Sequence, residues 1–274
     1  MNKQLSEALQ HINTFNPPIP KAAIILGSGL GDFADTLDNM IKISTRQIPN
    51  YPVSTVEGHS GYLIFGFHKN IPILAVQGRT HYYEGYPIQK VTFVVKIMKA
   101  IGIKVLLVTN AAGGVNPGFK PGDLMLITDQ INFLFNNPLI GPNDYIGPRF
   151  PDMSNAYNSQ YFGMIEQIAL KHNIALKRGV LWASSGPSYE TGAEVKMIQK
   201  MGGDAASMST VPEVIAAVQS GIQVMGISCI TNYATGISSK KLTHHDVTLT
   251  ANNVKEKFLK LVSGIIEEIF GIDI

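Results

Sequence analysis

The sequence predicts an α/β fold with a largely parallel sheet. Three observations carry this. Apolar, strand-like runs alternate with helix-period segments along the 274 residues. At 45% apolar and 15% charged residues, the chain can bury a large core. Three apolar runs lead straight into small or anion-binding residues. Ala22–Leu26 meets Gly27-Ser28-Gly29-Leu30-Gly31, 71–76 meets Gln77-Gly78-Arg79-Thr80-His81, and 105–108 meets Thr109-Asn110-Ala111-Ala112-Gly113-Gly114. Glycine at a strand end lets backbone N–H groups approach a ligand, and parallel sheets gather such ends at one edge.

The elements follow in order. Helix 2–13 precedes strand 22–26, and a helix begins near Leu30. Strands near 41–48, 61–67 and 71–76 come next. Segment 88–100 is helical, with apolar Val91, Val94, Val95 and Met98 on one stripe. Strands 104–109 and 122–133 precede helix 160–172 and the extended stretch 178–183. Helix 191–201 opens with Thr191 and Glu194 at capping-box spacing. A short strand at 204–208 leads to helix 211–220, where Pro212 suits the first turn. Strand 223–230 and a long helix over 247–270 complete the chain. Between strand 122–133 and helix 160–172, 136–154 is rich in Pro, Gly and Asn, a length of loop that favours a functional role. Tyr145, Ile146, Phe150 and Tyr157 suit a cover over a pocket or a reach to a neighbouring subunit.

The composition excludes several classes. Net charge is +2 and no Lys/Arg block stands out, which argues against a nucleic-acid-binding face. Cys229 is the single cysteine and cannot form an internal disulfide, as suits a reducing compartment. The N-terminus lacks a signal-peptide layout, and no apolar run approaches the ~20 residues of a membrane span. A cytoplasmic protein is expected.

Each motif admits a plain reading and a chemical one. Gly27-Ser28-Gly29-Leu30-Gly31 is a poor dinucleotide fingerprint, since no ribose-binding acid follows at about 20 residues. It suits a tight turn and a free-anion cradle equally. Arg79 presents a fork that matches phosphate, and His81 shares its face if the strand continues. Glu84 is placed to orient that imidazole. Ser209, before the helix at Val211-Pro212, serves as a cap or a phosphate contact. Tyr189 and Glu190 suit a flat heterocycle, with a ring for its face and an acceptor for its N–H groups; Glu190 also suits a helix start. Asn232 closes strand 223–230 as a ligand contact or a turn residue. His244, His245 and Asp246 stand together without a matching ligand set, so no metal is expected.

Together these segments resemble the trimeric purine nucleoside phosphorylases specific for 6-oxopurines. The resemblance runs from Gly27-Ser28-Gly29-Leu30-Gly31 through Gly58-His59-Ser60-Gly61, Gln77-Gly78-Arg79-Thr80-His81, Thr109-Asn110-Ala111-Ala112-Gly113-Gly114, Met208-Ser209-Thr210-Val211-Pro212-Glu213 and Thr231-Asn232-Tyr233 to Leu242-Thr243-His244. It implies one α/β domain over 1–274, a central mixed β-sheet flanked by helices, and a homotrimer. The implied reaction is reversible phosphorolysis of purine ribo- and deoxyribonucleosides, chiefly inosine and guanosine, to free base and (deoxy)ribose 1-phosphate. Phosphate is then a co-substrate, and no cofactor or metal is implied. By match of motif, Ser28, Arg79, His81, Ser209 and the Ala111 N–H hold phosphate, with His59 nearby. Tyr83 and the Met208 backbone meet the sugar, His244 the 5′-hydroxyl, and Tyr189, Glu190 and Asn232 the base. His81, Glu190 and Asn232 are the implied catalytic residues.

Three departures from the family pattern stand out. Tyr189 replaces a common phenylalanine, and Ser207 replaces a common glycine. Loop 141–151 looks shorter than in mammalian members, with Ile146 as the positional match for an aromatic lent across the subunit interface. The rival readings are a methylthioadenosine-type phosphorylase and a non-catalytic nucleoside-binding protein. Glu190, Asn232 and His244 argue against the first, and the full phosphate set against the second.

Overall fold

The computed structural model describes residues 3–56, 61–143, 147–238 and 244–271, without the side chains of 244–246 and 248. Among the described residues, nine strands form one mixed sheet. They are β1 (Ala22–Leu26), β2 (Asp38–Ser44), β3 (Tyr62–His68), β4 (Ile71–Gln77), β5 (Val105–Gly114), β6 (Leu124–Asn132), β7 (Leu176–Ala183), β8 (Ala205–Ser207) and β9 (Gln223–Tyr233). Seven α-helices are described: α1 (Lys3–Asn13), α2 (Ile88–Val91), α3 (Phe93–Ala100), α4 (Phe162–Lys171), α5 (Gly192–Lys200), α6 (Val211–Gln219) and α7 (His244–Ile265).

The strand order is β2-β3-β4-β1-β5-β8-β7-β6-β9, and β9 also pairs with β5. Strands β5, β8, β7, β6 and β9 therefore close into a ring, and β1 to β4 extend it as an open wing. The sheet is less parallel than strand–helix alternation alone suggests. Pairs β2–β3, β3–β4, β5–β8 and β6–β9 are antiparallel. Among the described residues no helix intervenes in the β2–β3–β4 meander, so nothing there imposes parallel crossovers.

Strand β1 is buried on both faces, as its unbroken apolar run predicts. Ala23 and Ile25 point to one core with apolar residues of α1, α3 and α6. Ala22, Ile24 and Leu26 point to the other, with residues of α4 and α7. The period of two thus sorts one strand between two cores.

Several boundaries differ from the sequence expectation. Gly31–Thr36 is a 3₁₀ helix, and β2 begins at Asp38 and ends at Ser44. The helix over 88–100 breaks at Thr92, whose hydroxyl donates back to the carbonyls of Ile88 and Gln89. Helix α7 starts at His244 and ends in a π-helical turn over Ile266–Phe270. Strand β5 runs on through its small residues to Gly114, because β9 pairs with it as far as Gly114↔Tyr233. The Thr191 capping box forms as predicted, with reciprocal bonds of 3.2 and 2.7 Å to Glu194.

Candidate active site

The strand ends converge. Ser28 after β1, Arg79 and His81 after β4, Ala111 within β5, Ser207 on β8 with Met208 and Ser209 beyond it, and Asn232 on β9 all line one cleft. Tyr83, Tyr189 and Glu190 complete its wall, and Val247 of α7 touches it. Of the sequence candidates, His59 and Ile146 lie outside the described residues, and so does the side chain of His244.

Close backbone approach builds the cradle. A Cβ on Gly27 would lie 2.7 Å from the Asn110 Cα, so only glycine lets the end of β1 pass β5. The Gly27 N–H donates to the Thr109 hydroxyl at 3.1 Å, and that hydroxyl donates to the Ile25 carbonyl at 2.9 Å. These bonds fix the turn that presents Ser28.

Arg79 and His81 reach the cleft by another route than a continued strand. Strand β4 stops at Gln77, and Gly78 takes φ +91°. Arg79 is buried. Its guanidinium donates to the Thr210 hydroxyl at 3.0 Å and to the Thr109 carbonyl, and it lies 3.4 Å from Glu213 Oε1. Burial lowers its affinity for the proton and Glu213 works against that.

Glu84 orients His81, as the spacing suggested. The Glu84 carboxylate accepts from the His81 backbone N–H at 2.6 Å and sits 3.3 Å from His81 Nδ1. Thr55 donates to the same carboxylate from its N–H and its hydroxyl, at 2.5 and 2.8 Å. Burial pushes the Glu84 carboxyl up, but the bonds from His81 and Thr55 outweigh it and bring it down to about 2. The Tyr83 ring stacks on His81 at 4.8 Å between centroids. Burial first, then the charge of Glu84, raises its phenol to about 12.

The corner at Ser209 is a strained turn that the sequence does not announce. Thr210 has φ +77° and ψ −52°, and the Val211 N–H bonds to the Ser209 carbonyl at 2.9 Å across it. This is a γ-turn in the positive-φ region, costly for a β-branched residue by about 1–3 kcal/mol. The Thr210 hydroxyl accepts from both Arg79 and Asn110 at 3.0 Å, which holds the turn. The hydroxyls of Ser207, Ser209 and Thr210 run in a chain at 3.3 and 3.2 Å, and Ser207 donates to the Ala111 carbonyl. No short motif signals such a turn; the only signal in the sequence is that polar Asn110 and Glu213 interrupt apolar runs.

At the other end, Ser184 donates to Glu190 Oε1 at 2.9 Å. The Asn232 amide oxygen accepts from the Thr231 hydroxyl at 2.9 Å, and its nitrogen donates to the Tyr233 carbonyl at 3.0 Å. One amide hydrogen and one oxygen lone pair remain for a ligand. Tyr189 is 40% exposed. Burial and the neighbouring Glu190 hold its hydroxyl above the ordinary phenol value. The cleft thus pairs an end rich in hydroxyls and one guanidinium with an end bearing a ring, a carboxylate and an amide.

An α/β domain with these features is of the phosphorylase class, and a model of the Phosphorylase superfamily matches residues 21–267. The chain is 51% identical over 269 residues to purine nucleoside phosphorylase 1 of Bacillus subtilis, covering 98% of this chain and 99% of that protein. It is 42% identical over 260 residues to the purine nucleoside phosphorylase of Rattus norvegicus, covering 91% and 89%. The Schistosoma mansoni purine nucleoside phosphorylase solved with inosine superposes with a TM-score of 0.92 at 37% identity, over 97% of this chain and 96% of that one. The chain belongs to the Phosphorylase superfamily and, within it, to the purine nucleoside phosphorylases.

Proposed function

We propose that this chain, acting as one domain over 1–274, catalyses the reversible phosphorolysis of purine ribo- and deoxyribonucleosides, chiefly inosine and guanosine. The products are the free base and (deoxy)ribose 1-phosphate. The observation that carries this reading is the meeting, in one cleft, of Ser28, Arg79, His81 and Ser209 with Tyr189, Glu190 and Asn232. The first group suits a phosphate and the second a purine. Solved relatives hold inosine and guanosine.

Phosphate, held by Ser28, Arg79, His81, Ser209 and the Ala111 N–H, is the nucleophile. It attacks C1′ as the N-glycosidic bond breaks, and the sugar passes through an oxocarbenium-like state. Because phosphate supplies the attacking oxygen, the two carboxylates of a glycoside hydrolase are not needed. Placement and electrostatics supply the rate. Electrons flow into the purine, and the remaining Asn232 amide hydrogen donates toward N7. Glu190 accepts from N1–H and, in guanine, from the 2-amino group. Tyr83 and the Met208 backbone are assigned to the sugar, and by motif His244 is assigned to the 5′-hydroxyl and His59 to the substrate near the phosphate. The chemistry calls for no metal or organic cofactor.

Glu190 and Asn232 favour this reading over a methylthioadenosine-type phosphorylase, and the full anion set favours it over a mere nucleoside binder. A cytoplasmic homotrimer is part of the proposal. No helix among the described residues is long and apolar enough to cross a membrane. Product analysis with inosine, guanosine and adenosine tests the substrate assignment: inosine and guanosine should be cleaved far faster than adenosine. Equal cleavage of adenosine would contradict it.

A further inference from the structure

Glu213 has no part in the reading given so far. It lies in the first turn of α6 and its side chain is 2% exposed. One carboxylate oxygen, Oε1, is 3.4 Å from Arg79 Nη1. The other, Oε2, is buried without a hydrogen-bond partner. A buried carboxylate with half its acceptors unused is costly, and the helix N-terminus offsets only part of that cost. Its charge reaches further than its contacts, since it helps raise the phenols of buried Tyr51 and Tyr157. The Arg79 guanidinium needs no carboxylate merely to be held, because Thr210 and the Thr109 carbonyl already accept from it.

We propose that Glu213 is a resident counter-ion that moderates how tightly the Arg79 site holds phosphate. The inference rests on the reading of this pocket as the phosphate site. The Glu213 carboxylate faces the guanidinium inside the fold before any anion enters. Phosphate therefore meets a nearly neutral buried pair rather than a bare cation, and a like charge stands behind Arg79. Such an arrangement weakens phosphate and sugar-phosphate alike, so that both leave readily in a reversible reaction. Glu213 acts through Arg79 and touches no reacting atom, which makes it a positioning and tuning residue.

Glu213→Gln tests this, because it keeps the shape and an acceptor for Arg79 Nη1 but removes the charge. The phosphate KM at saturating inosine should fall roughly three- to ten-fold, the scale of one like charge removed from a buried cluster. The inosine KM should stay within roughly two-fold. The rise in Tm on adding inorganic phosphate should be larger in the variant than in the parent. A parent whose rate and Tm ignore phosphate overturns the phosphate-site reading itself. A phosphate-sensitive parent whose Glu213→Gln variant has an equal or higher phosphate KM overturns the counter-ion role alone. If that variant yields no soluble protein, the double variant R79M/E213Q decides. Removing both charges together should restore a Tm above that of Arg79→Met, which strands the carboxylate. A double variant no more stable than Arg79→Met would show that the two charges are not coupled.

Discussion

At the scale of single residues, what each cleft group can do for a ligand depends on which hydrogen-bond partners the fold has left it. The Asn232 amide oxygen accepts from Thr231 and one of its hydrogens goes to Tyr233, so in the proposed base site one donor remains for the N7 and O6 side of a 6-oxopurine. Adenine presents an amino donor at position 6 and no N1–H for Glu190. Each mismatched buried group costs roughly 1–3 kcal/mol. Asn232→Asp supplies an acceptor and removes the donor, so the ratio of kcat/KM for adenosine over inosine should rise. An unchanged ratio would show that Asn232 does not read position 6. Glu84 carries a pH signature. Its carboxyl stands at about 2 in the folded chain against 4.5 ordinarily. A depressed carboxyl favours the fold above its unfolded value and loses that contribution as pH falls through the folded one. Its contribution should therefore be flat from pH 7 to 5 and vanish between about 4.5 and 2. In chemical denaturation, Glu84→Gln should flatten that part of the acid limb; an acid limb that keeps the parent's slope would refute the assignment. The residue types at the cleft were legible in the sequence because Arg79 and His81 follow a glycine at the end of an apolar run, where a buried anion could be met. The roles of Asn110, Thr210 and Glu213 were not, since they depend on a turn that brings distant buried groups together.

At the scale of elements, the apolar runs and the Thr191 capping box gave strand and helix positions to within a few residues. The misses have physical causes. Gly113 and Gly114 look like a strand terminus, but pairing with β9 keeps the chain extended and carries β5 to Gly114. Thr92 looks like one more helical residue, yet its hydroxyl competes for the backbone carbonyls and splits α2 from α3. The junction of β1 and β5 gives a prediction. Gly27→Ala would place a methyl 2.7 Å from the Asn110 Cα, so the two strands must part. Overpacking of this kind costs about 1–3 kcal/mol or more. The variant should lose Tm and phosphate affinity together. Wild-type Tm with an unaltered phosphate KM would mean that the turn at Ser28 does not depend on that contact.

At the scale of the whole molecule, alternation of strands and helices forecast the α/β class and the gathering of strand ends at one edge. It did not forecast the ring of β5, β8, β7, β6 and β9, because closure depends on β9 pairing with both β5 and β6. That ring matters for function. It brings Ala111, Ser207, Ser209 and Asn232 to the edge where β1 and β4 deliver Ser28 and Arg79. The residues at both ends of the cleft thus gather along one edge of one sheet and line a single pocket. In the proposed reaction phosphate is the nucleophile. Inosine incubated with the protein should give hypoxanthine and ribose 1-phosphate in phosphate buffer, and essentially no hypoxanthine without phosphate. Rapid release of hypoxanthine and free ribose in phosphate-free buffer would contradict the account and make water the nucleophile.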